Sequence, residues 1–386
     1  MSRSGLTAGG LLLVAVVAIC PWVSAQTGGT PVEPVLPSAP GMDATLPRAP
    51  VHITVDSVHH RVIVTAGPYH LPPMDMDGMM SMDMGMGGGH AAHGELLLTK
   101  FQWPNTDWLR GFKVEILDRD GHLMPQRTMH HMEFINYDRR QLVYPLAERV
   151  LGVGEETAPV VLPRSVGVPV DKGMHMGVYL MWNNDTGHDL DGIYYRLTLI
   201  CSPANTTPRP LAALPFKVDI NSDPGMPDSY DVPPGGRTRV YNFTIPVSGR
   251  LLGVGGHLHD FGAQIRLEDV RTGKVLAHVQ GIMDKTGHEL GVSHQLLAIK
   301  GRGPHLRAGH PYRLVAVYIN PTKDTLRAVM AVMGGLFAPD DIRDWPKIDY
   351  TNPDYLHDIA VLLRQASDVE VAESGSLAEY LGLTGR

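Results

Sequence analysis

The feature that most limits the fold of this chain is a long series of short apolar segments separated by turn residues. The segments are rich in Val, Ile, Leu and Tyr, as in 61–64 and 193–200. Asp-Gly, Pro-Gly-Gly and Thr-Gly sequences between them predict tight turns. The chain also carries 42 Gly and 31 Pro, which is too many for a helical protein. The pattern therefore predicts an all-β fold made of many short strands.

The length of 386 residues and the hydrophobic content of 43% suit two domains, each with its own buried core. The Pro-rich stretch 203–210 interrupts the series of strands, so we place the domain boundary there. We expect two β-sandwich domains in tandem, followed by a short C-terminal helical tail. The predicted parts are a signal peptide at 1–25, a linker at 26–48, an N-terminal domain at 49–205, a C-terminal domain at 208–340 and a partly helical tail at 341–386.

The first 25 residues have the composition of a cleaved signal peptide. Arg3 precedes the apolar run 11–19, and the small residues Val23 and Ala25 stand at the positions expected before a cleavage site. The apolar run is too short to span a bilayer, and no later stretch is apolar enough to do so. We therefore expect an exported protein, periplasmic or secreted, with no membrane span. Cleavage would remove Cys20 and leave Cys201 as the one remaining cysteine, so no internal disulfide is expected.

Charge and composition narrow the classes of function. The formal net charge of −7 offers no basic surface, which argues against nucleic acid as a partner. The sequence contains neither a Gly-x-Ser-x-Gly elbow nor a His-Glu-x-x-His zinc helix, which argues against the common hydrolases. The 19 His and 19 Met stand against only two Cys. This combination excludes a disulfide scaffold and a Cys-rich zinc protein, and it favours a soft metal.

A segment rich in Met and His, residues 74–93, is the first candidate metal ligand set. It is too polar and too rich in Gly to be a core strand, and thioether and imidazole together suit copper in both oxidation states. The alternative is an insertion whose composition has drifted without function. Its candidate ligands are Met74, Met76, Met79, Met80, Met82, Met84, Met86, His90 and His93.

Two histidine pairs occur at metal-ligand spacing, one in each predicted domain. His257 and His259 follow an apolar run, and positions i and i+2 of a strand point to one face. Asp260 is then a candidate hydrogen-bond partner of a ring N–H. His130 and His131 are adjacent, so in a regular strand they would face opposite ways. This pair can share an ion only through a bulge or a twist. The alternative for each pair is a structural or solvated role.

These residues resemble those of the copper type II, ascorbate-dependent monooxygenases, the family of peptidylglycine α-hydroxylating monooxygenase and dopamine β-monooxygenase. His130-His131 resembles the pair that holds one copper in the first domain of that family, and His257-Leu258-His259 resembles the pair that holds the other copper in the second domain. The resemblance covers roughly 51–339. It implies two jelly-roll domains, each carrying one copper across a solvent-filled cleft, and hence up to two copper ions per chain.

The resemblance also implies one further ligand in each domain. In the second domain a Met completes the oxygen-binding site, and Met333 is our choice, with Met330 as the reserve. In the first domain the family has a third His, and the corresponding position here is Met181. A thioether there would favour Cu(I). Otherwise the ligand comes from His175 or His188.

Three functions follow from these residues. The first is an enzyme that hydroxylates a C–H bond of a small molecule or peptide, with O2 at His257, His259 and Met333 and with ascorbate or another reductant. The second is a non-catalytic protein that binds or handles copper on the same scaffold. The third is an adhesion or sugar-binding module with incidental histidines. Copper bound to purified protein separates the third from the other two.

Overall fold

The computed structural model describes residues 51–73, 94–155, 157–221, 229–298 and 303–362. The predicted signal peptide, the linker and the Met/His segment 74–93 lie outside the described residues. Strands dominate the described chain, which confirms the predicted all-β fold. Among the helices in the described ranges, none is long and apolar enough to cross a membrane.

The first domain is built from strands β1 to β11, with a short 3-10 helix (Gln126–Thr128) before β5. The strands are β1 (Val51–Asp56), β2 (Arg61–Leu71), β3 (Gly94–Gln102), β4 (Asp107–Leu117), β5 (Met129–Arg140), β6 (Ala147–Gly154), β7 (Val160–Val161), β8 (Val166–Val170), β9 (His175–Trp182), β10 (Leu190–Pro203) and β11 (Leu211–Ala212).

Two sheets of the first domain enclose its core. One has the order β1-β2-β10-β4-β8-β11, with β7 paired to β4, and the other has the order β3-β9-β5-β6. Alternate residues of β9, among them Val178 and Leu180, are buried in the core between the sheets. Strand β11 still pairs with β8, so the chain passes to the second domain at Ala213. This lies a few residues beyond the predicted boundary at 205–208.

The second domain is built from strands β12 to β23. The strands are β12 (Leu214–Asp219), β13 (Tyr230–Val232), β14 (Arg237–Phe243), β15 (Gly249–Leu258), β16 (Gly262–Asp269), β17 (Val275–Met283), β18 (Glu289–Val292), β19 (Gln295–Leu296), β20 (His305–Leu306), β21 (Tyr312–Tyr318), β22 (Leu326–Val329) and β23 (Ala331–Pro339).

The second domain repeats the arrangement of two packed sheets. One has the order β12-β23-β15-β19, with β20 paired to β15, and the other has the order β14-β21-β16-β17-β18. Strands β13 and β22 form a separate small pair. Apolar residues of both sheets, among them Leu251, Ile265, Leu314 and Phe337, are fully buried between them. These side chains alternate with outward-facing ones along each strand, as a two-layer core requires.

The two domains are joined through the β3-β9-β5-β6 sheet of the first and the β12-β23-β15-β19 sheet of the second. The Lys217 ammonium of β12 lies 2.8 Å from a carboxylate oxygen of Glu133 on β5. The Tyr144 hydroxyl accepts a hydrogen bond from the backbone N–H of Asp219 at 3.1 Å. Glu133 alternates with the core residues Met132 and Phe134, so it points away from the first-domain core. The outer faces of these two sheets therefore form the domain interface.

The chain returns to the first domain after β23. A short 3-10 helix (Ile342–Asp344) leads to Trp345, whose indole N–H donates to the backbone carbonyl of Arg140 at 2.8 Å. Helix α1 (Pro353–Leu362) follows, and the Asn352 side chain before it accepts backbone N–H groups of its first turn. Its residue Asp358 lies 2.6 Å from Arg149 of β6. The helical tail therefore packs on the first domain.

Candidate functional site at the domain interface

The first histidine pair lies at the start of β5, where the strand is irregular. Met129 pairs with Trp182 and His131 pairs with Met181, so His130 is an extra residue in the ladder. Met129 and Met132 are three residues apart and yet both are buried in the same core, as a bulge between them requires. The bulge brings the two imidazole rings together, with centroids 4.0 Å apart. The bulge therefore overcomes the opposite orientation that regular strand alternation would give two adjacent histidines.

The second pair lies at the end of β15. His257 and His259 are two residues apart, and their ring centroids are 5.0 Å apart. The intervening Leu258 is fully buried in the second-domain core. Alternation along the strand therefore directs both imidazoles to the outer face, towards the first domain. The predicted convergence of these two rings on one face is present.

The two pairs meet each other across the domain interface. The ring centroids of His131 and His257 are 5.0 Å apart, with the ring planes at 86°. The rings of His130, His131, His257 and His259 thus form one continuous series of contacts, which we call the histidine cluster. The resemblance implied two pairs separated by a solvent-filled cleft. In this structure the His131 and His257 rings are in contact, so the two pairs are not separated by a cleft.

Met181 lies next to the first pair. It is directly opposite His131 in the antiparallel pairing of β9 with β5, so the two side chains share a face of the sheet. Its neighbours Leu180 and Trp182 belong to the first-domain core, whereas Met181 itself, 8% exposed, lies on the other face. The register thus places the Met181 side chain beside His131, and its role as a ligand stays a prediction.

The register in the second domain favours Met330 over Met333. Met333 pairs with Gly256, so it belongs to the face opposite His257, and its side chain is fully buried in the core. The register therefore does not support Met333 as the third ligand. The last pair between the two strands is Leu258 with Ala331, and the next step along both strands is His259 and Met330. Met330 is therefore the methionine that would share a face with His259 if the ladder continued by one step.

The structure does not bring the remaining sequence candidates to the cluster. His175 stands at the other end of β9 from Met181, about 20 Å away for six strand residues. It is buried, and its Nδ1 lies 3.1 Å from a carboxylate oxygen of Asp138. The His188 Nδ1 lies 3.0 Å from the backbone carbonyl of Thr186, on the surface.

Asp260 also has a different role from the predicted one. One of its carboxylate oxygens accepts the backbone N–H of Glu289 at 2.9 Å and lies 3.1 Å from the Nδ1 of His288. These contacts join the end of β15 to β18. They are contacts of a turn, and they do not orient the rings of His257 or His259.

In the part of the chain that the structure describes, Asp118, Asp120 and His122 are the one group of three His, Cys, Asp or Glu side chains whose donor atoms all lie within 4.8 Å of one another. One carboxylate oxygen of Asp118 accepts the backbone N–H groups of Asp120 and His122 at 2.9 and 2.8 Å. The other oxygen lies 3.1 Å from the His122 Nδ1. These bonds close the Asp-Gly turn after β4, which accounts for the group without an ion.

Charged residues surround the cluster on the first-domain side. The Glu133 carboxylate, two residues after His131, contacts both Lys217 and Arg149. Burial raises the pKa of Glu133, but the two cations outweigh burial and bring the pKa from 4.5 to about 2. Glu133 therefore stays ionised, and its ion pair with Lys217 joins β5 to the second domain.

Two residues near the cluster were not identified from the sequence. His294 lies over Gly255, two residues before His257 on the same face of β15, because a Cβ on Gly255 would be 2.8 Å from the His294 Cδ2. The Tyr318 hydroxyl accepts the backbone N–H of His259 at 2.9 Å and donates to the backbone carbonyl of Met330. A lone His in a turn and a Tyr in an apolar strand carry no motif, so no sequence signal marked either one.

The Met/His segment 74–93 joins the first domain beside the cluster. The segment itself lies outside the described residues, but the strand that follows it, β3, starts at Gly94. In the pairing of β3 with β9, Glu95 lies opposite Met181, which in turn lies opposite His131. The chain that follows the Met/His segment therefore enters the sheet level with Met181 and His131.

Comparison with known proteins gives only weak similarities. No family model and no curated protein matches the chain. Two structures of PNGF-II are similar at 10% and 9% identity over 71% and 74% of this chain, with TM-scores of 0.34 and 0.30. The chain spans 65% of the first PNGF-II chain and 80% of the second. The PBSX exported protein XepA is similar at 10% identity over 64% of this chain and 84% of its own, with a TM-score of 0.14. None of these similarities is strong enough to support an argument about fold or function.

Proposed function

We propose that this chain is an exported copper-binding protein whose metal is held by the histidine cluster between its two domains. One observation carries the proposal: each domain contributes a histidine pair, and the pairs meet with the His131 and His257 ring centroids 5.0 Å apart. Imidazole rings brought together from separate domains are an unusual use of a domain interface, which is otherwise filled by apolar or ion-paired side chains. Metal binding gives such an arrangement a physical reason.

The donor set favours copper over other metals. Imidazole suits both zinc and copper, but a thioether beside imidazole favours Cu(I). Met181 lies opposite His131 in the ladder, and the backbone of Met330 is linked to that of His259 through the Tyr318 hydroxyl, so we propose these two thioethers as ligands. The cluster lacks the Cys thiolates of a structural zinc site, and Cys201 is buried in the first-domain core. The residues present therefore fit copper, with His130, His131 and Met181 on one side and His257, His259 and Met330 on the other.

Oxidation of a substrate is the first activity that we propose for such a centre. Copper in this ligand set supplies one-electron transfer and O2 binding when a reductant such as ascorbate is present. The chain's own contribution is to hold the two ligand sets in contact, so that electrons need not cross a wide gap. This version resembles the copper-dependent monooxygenases and takes a small-molecule or peptide substrate.

Copper handling without catalysis is the second candidate, and the position of Glu95 favours it. The backbone of Glu95 lies in the same row as Met181 and His131, directly after the Met/His segment. A stretch with seven Met joined to the fold at this point could supply copper to the cluster. This version needs no organic substrate.

The proposal is tested by counting copper in protein exported by its host. We expect up to two copper ions per chain for the wild-type protein and a loss of copper for His131→Ala and for His257→Ala. His59→Ala is the matched control, because that ring lies in the exposed turn between β1 and β2 and pairs with Asp56. Wild-type protein that takes up no copper, or cluster variants that keep as much copper as the control, would contradict the proposal.

Activity and transfer assays separate the two versions. Oxygen uptake by the copper-loaded protein with ascorbate, abolished by His257→Ala, supports the version in which the protein oxidises a substrate. Release of Cu(I) to a competing chelator, slowed by deletion of residues 74–89 and without oxygen uptake, supports copper handling. Sequencing the amino terminus of the exported protein tests the predicted cleavage after Ala25.

A further inference from the structure

The hydroxyl group of Tyr318 bridges two residues of the proposed second-domain metal site. Tyr318 is the last residue of β21 and is only 1% exposed. Its hydroxyl accepts the backbone N–H of His259 at 2.9 Å and donates to the backbone carbonyl of Met330. Neither bond involves the side chain of His259 or Met330. Tyr318 therefore acts on the backbone that carries both proposed ligands.

The Tyr318 hydroxyl lies where the pairing of β15 with β23 ends. Strands β15 and β23 pair regularly up to Leu258 and Ala331. One step further, a continued antiparallel ladder would join His259 directly to Met330. Instead the Tyr318 hydroxyl stands between the His259 N–H and the Met330 carbonyl. Two hydrogen bonds in series replace one, so the two strands are held further apart at this pair than a ladder would hold them.

The Tyr318 ring itself is fixed on several sides. Its edge meets the ring of Tyr230, with centroids 6.0 Å apart and planes at 87°. Its backbone pairs with Arg237 on β14 and with Gly262 on β16. The ring belongs to the second-domain core. The hydroxyl therefore sits at a place set by the opposite sheet, and it transmits that position to the ends of β15 and β23.

We propose that Tyr318 is a positioning residue of the copper site, because it sets the separation of the His259 and Met330 backbones that lets a thioether and an imidazole bind one ion. The inference rests on the proposed function. Without the bridge, His259 and Met330 would close into an ordinary ladder pair, in which opposite Cβ atoms lie about 4.5 to 5.5 Å apart. That approach leaves less room for an ion between the two side chains.

The test is Tyr318→Phe, which removes the hydroxyl and keeps the buried ring. Tyr312→Phe is the matched control, because Tyr312 lies on the same strand, is 2% exposed and accepts a backbone N–H from Arg307 at 2.7 Å. We expect Cu(I) affinity, measured by competition with a chromophoric chelator, to fall about 10- to 100-fold in Tyr318→Phe, as for other groups that orient ligands. The copper–sulfur signal in X-ray absorption should weaken with it. Tyr312→Phe should change neither quantity.

A second variant separates positioning from general damage to the fold. Met330→Leu removes the thioether itself, so the double variant Tyr318→Phe/Met330→Leu should bind Cu(I) no more weakly than Met330→Leu alone. Additive losses in the double variant, or a Tyr318→Phe protein with the affinity and sulfur signal of the control, overturn the positioning role while leaving copper binding in place. Wild-type protein that binds no copper refutes the proposed function, and the ligand-positioning role falls with it.

Discussion

The two halves of the histidine cluster are built in different ways. The first-domain half lies inside a sheet, with β6 on one side of β5 and β9 on the other, and Met181 is fixed opposite His131 by the ladder. The second-domain half lies where the ladder between β15 and β23 ends, and Met330 is tied to His259 through one hydroxyl. Backbone pairing fixes His131 and Met181 in the first half, whereas a single side chain links His259 to Met330 in the second. We therefore expect the second half to be the more sensitive to small changes around it.

The surroundings of the two halves differ in charge as well. Two residues after His131, Glu133 pairs with Lys217 and Arg149, and Arg149 pairs in turn with Asp358 of α1. Two residues before His257, Gly255 carries no side chain and is covered by the ring of His294. The first half is thus tied to the second domain by the Glu133–Lys217 ion pair and to its own domain by the pairs of Arg149. The second half is packed against the imidazole of His294 and an apolar core.

The largest expected effect comes from removing one ring of each half. His131→Ala and His257→Ala should each weaken copper binding by more than about 100-fold, because even groups that only orient a ligand cost 10- to 100-fold when lost. If the halves form one cluster, the double variant should lose less than the sum of the two single losses in binding free energy. Isothermal titration of the four proteins measures this difference. Strictly additive losses would indicate two independent sites.

A smaller effect is expected from the two methionines of the second half. Met330→Leu should lower Cu(I) affinity about 10-fold or more and leave Cu(II) affinity nearly unchanged, because a thioether favours the reduced ion. Met333→Leu should leave both affinities unchanged, since Met333 is fully buried in the core. It should lower the free energy of unfolding by less than about 1.5 kcal/mol. A loss of Cu(I) binding in Met333→Leu alone would restore Met333 as the ligand.

Sequence patterns predicted the parts of the site that depend on strand periodicity. The spacing of His257 and His259 placed both rings on one face, and the succession of short strands and turns predicted the all-β fold. Neither pattern could locate the bulge at His130, because a bulge is an irregularity that depends on the partner strand. The contact between His131 and His257 depends on how two domains pack, and no local pattern encodes it. The choice between Met330 and Met333 depends on the pairing of β15 with β23, which has to be known to the exact residue.

Position 181 tests whether a thioether binds the metal in the first half of the cluster. Met181→His would give the first domain a third histidine beside His130 and His131. Because the side chain at 181 shares a face with His131, we expect Cu(II) affinity to rise and preference for Cu(I) to fall, each by about 10-fold. Electron paramagnetic resonance during a titration with Cu(II) measures the change. Unchanged affinities would show that position 181 does not reach the metal.

The smallest expected effect is the acid sensitivity of the ion pairs at the first half. Glu133 has an ordinary pKa of 4.5 and, beside Lys217 and Arg149, a pKa of about 2 in the folded protein. Its contribution to stability is therefore complete above pH 4.5 and is lost as the pH falls towards 2. We expect Glu133→Gln to be about 1 kcal/mol less stable than the wild type at pH 6 and to approach it at pH 3. Urea unfolding at the two pH values measures this, and a difference that persists unchanged at pH 3 would argue against the ionised carboxylate as its cause.

The most direct test of a single interdomain cluster is the electron paramagnetic resonance spectrum of the protein loaded with two equivalents of Cu(II). Ions held by His131 and His257, whose rings are 5.0 Å apart, are close enough for strong magnetic coupling. We predict a spectrum with strong dipolar broadening and a half-field transition, both lost in His131→Ala. Two sharp, magnetically isolated Cu(II) signals, or a protein that binds no Cu(II), would contradict the account.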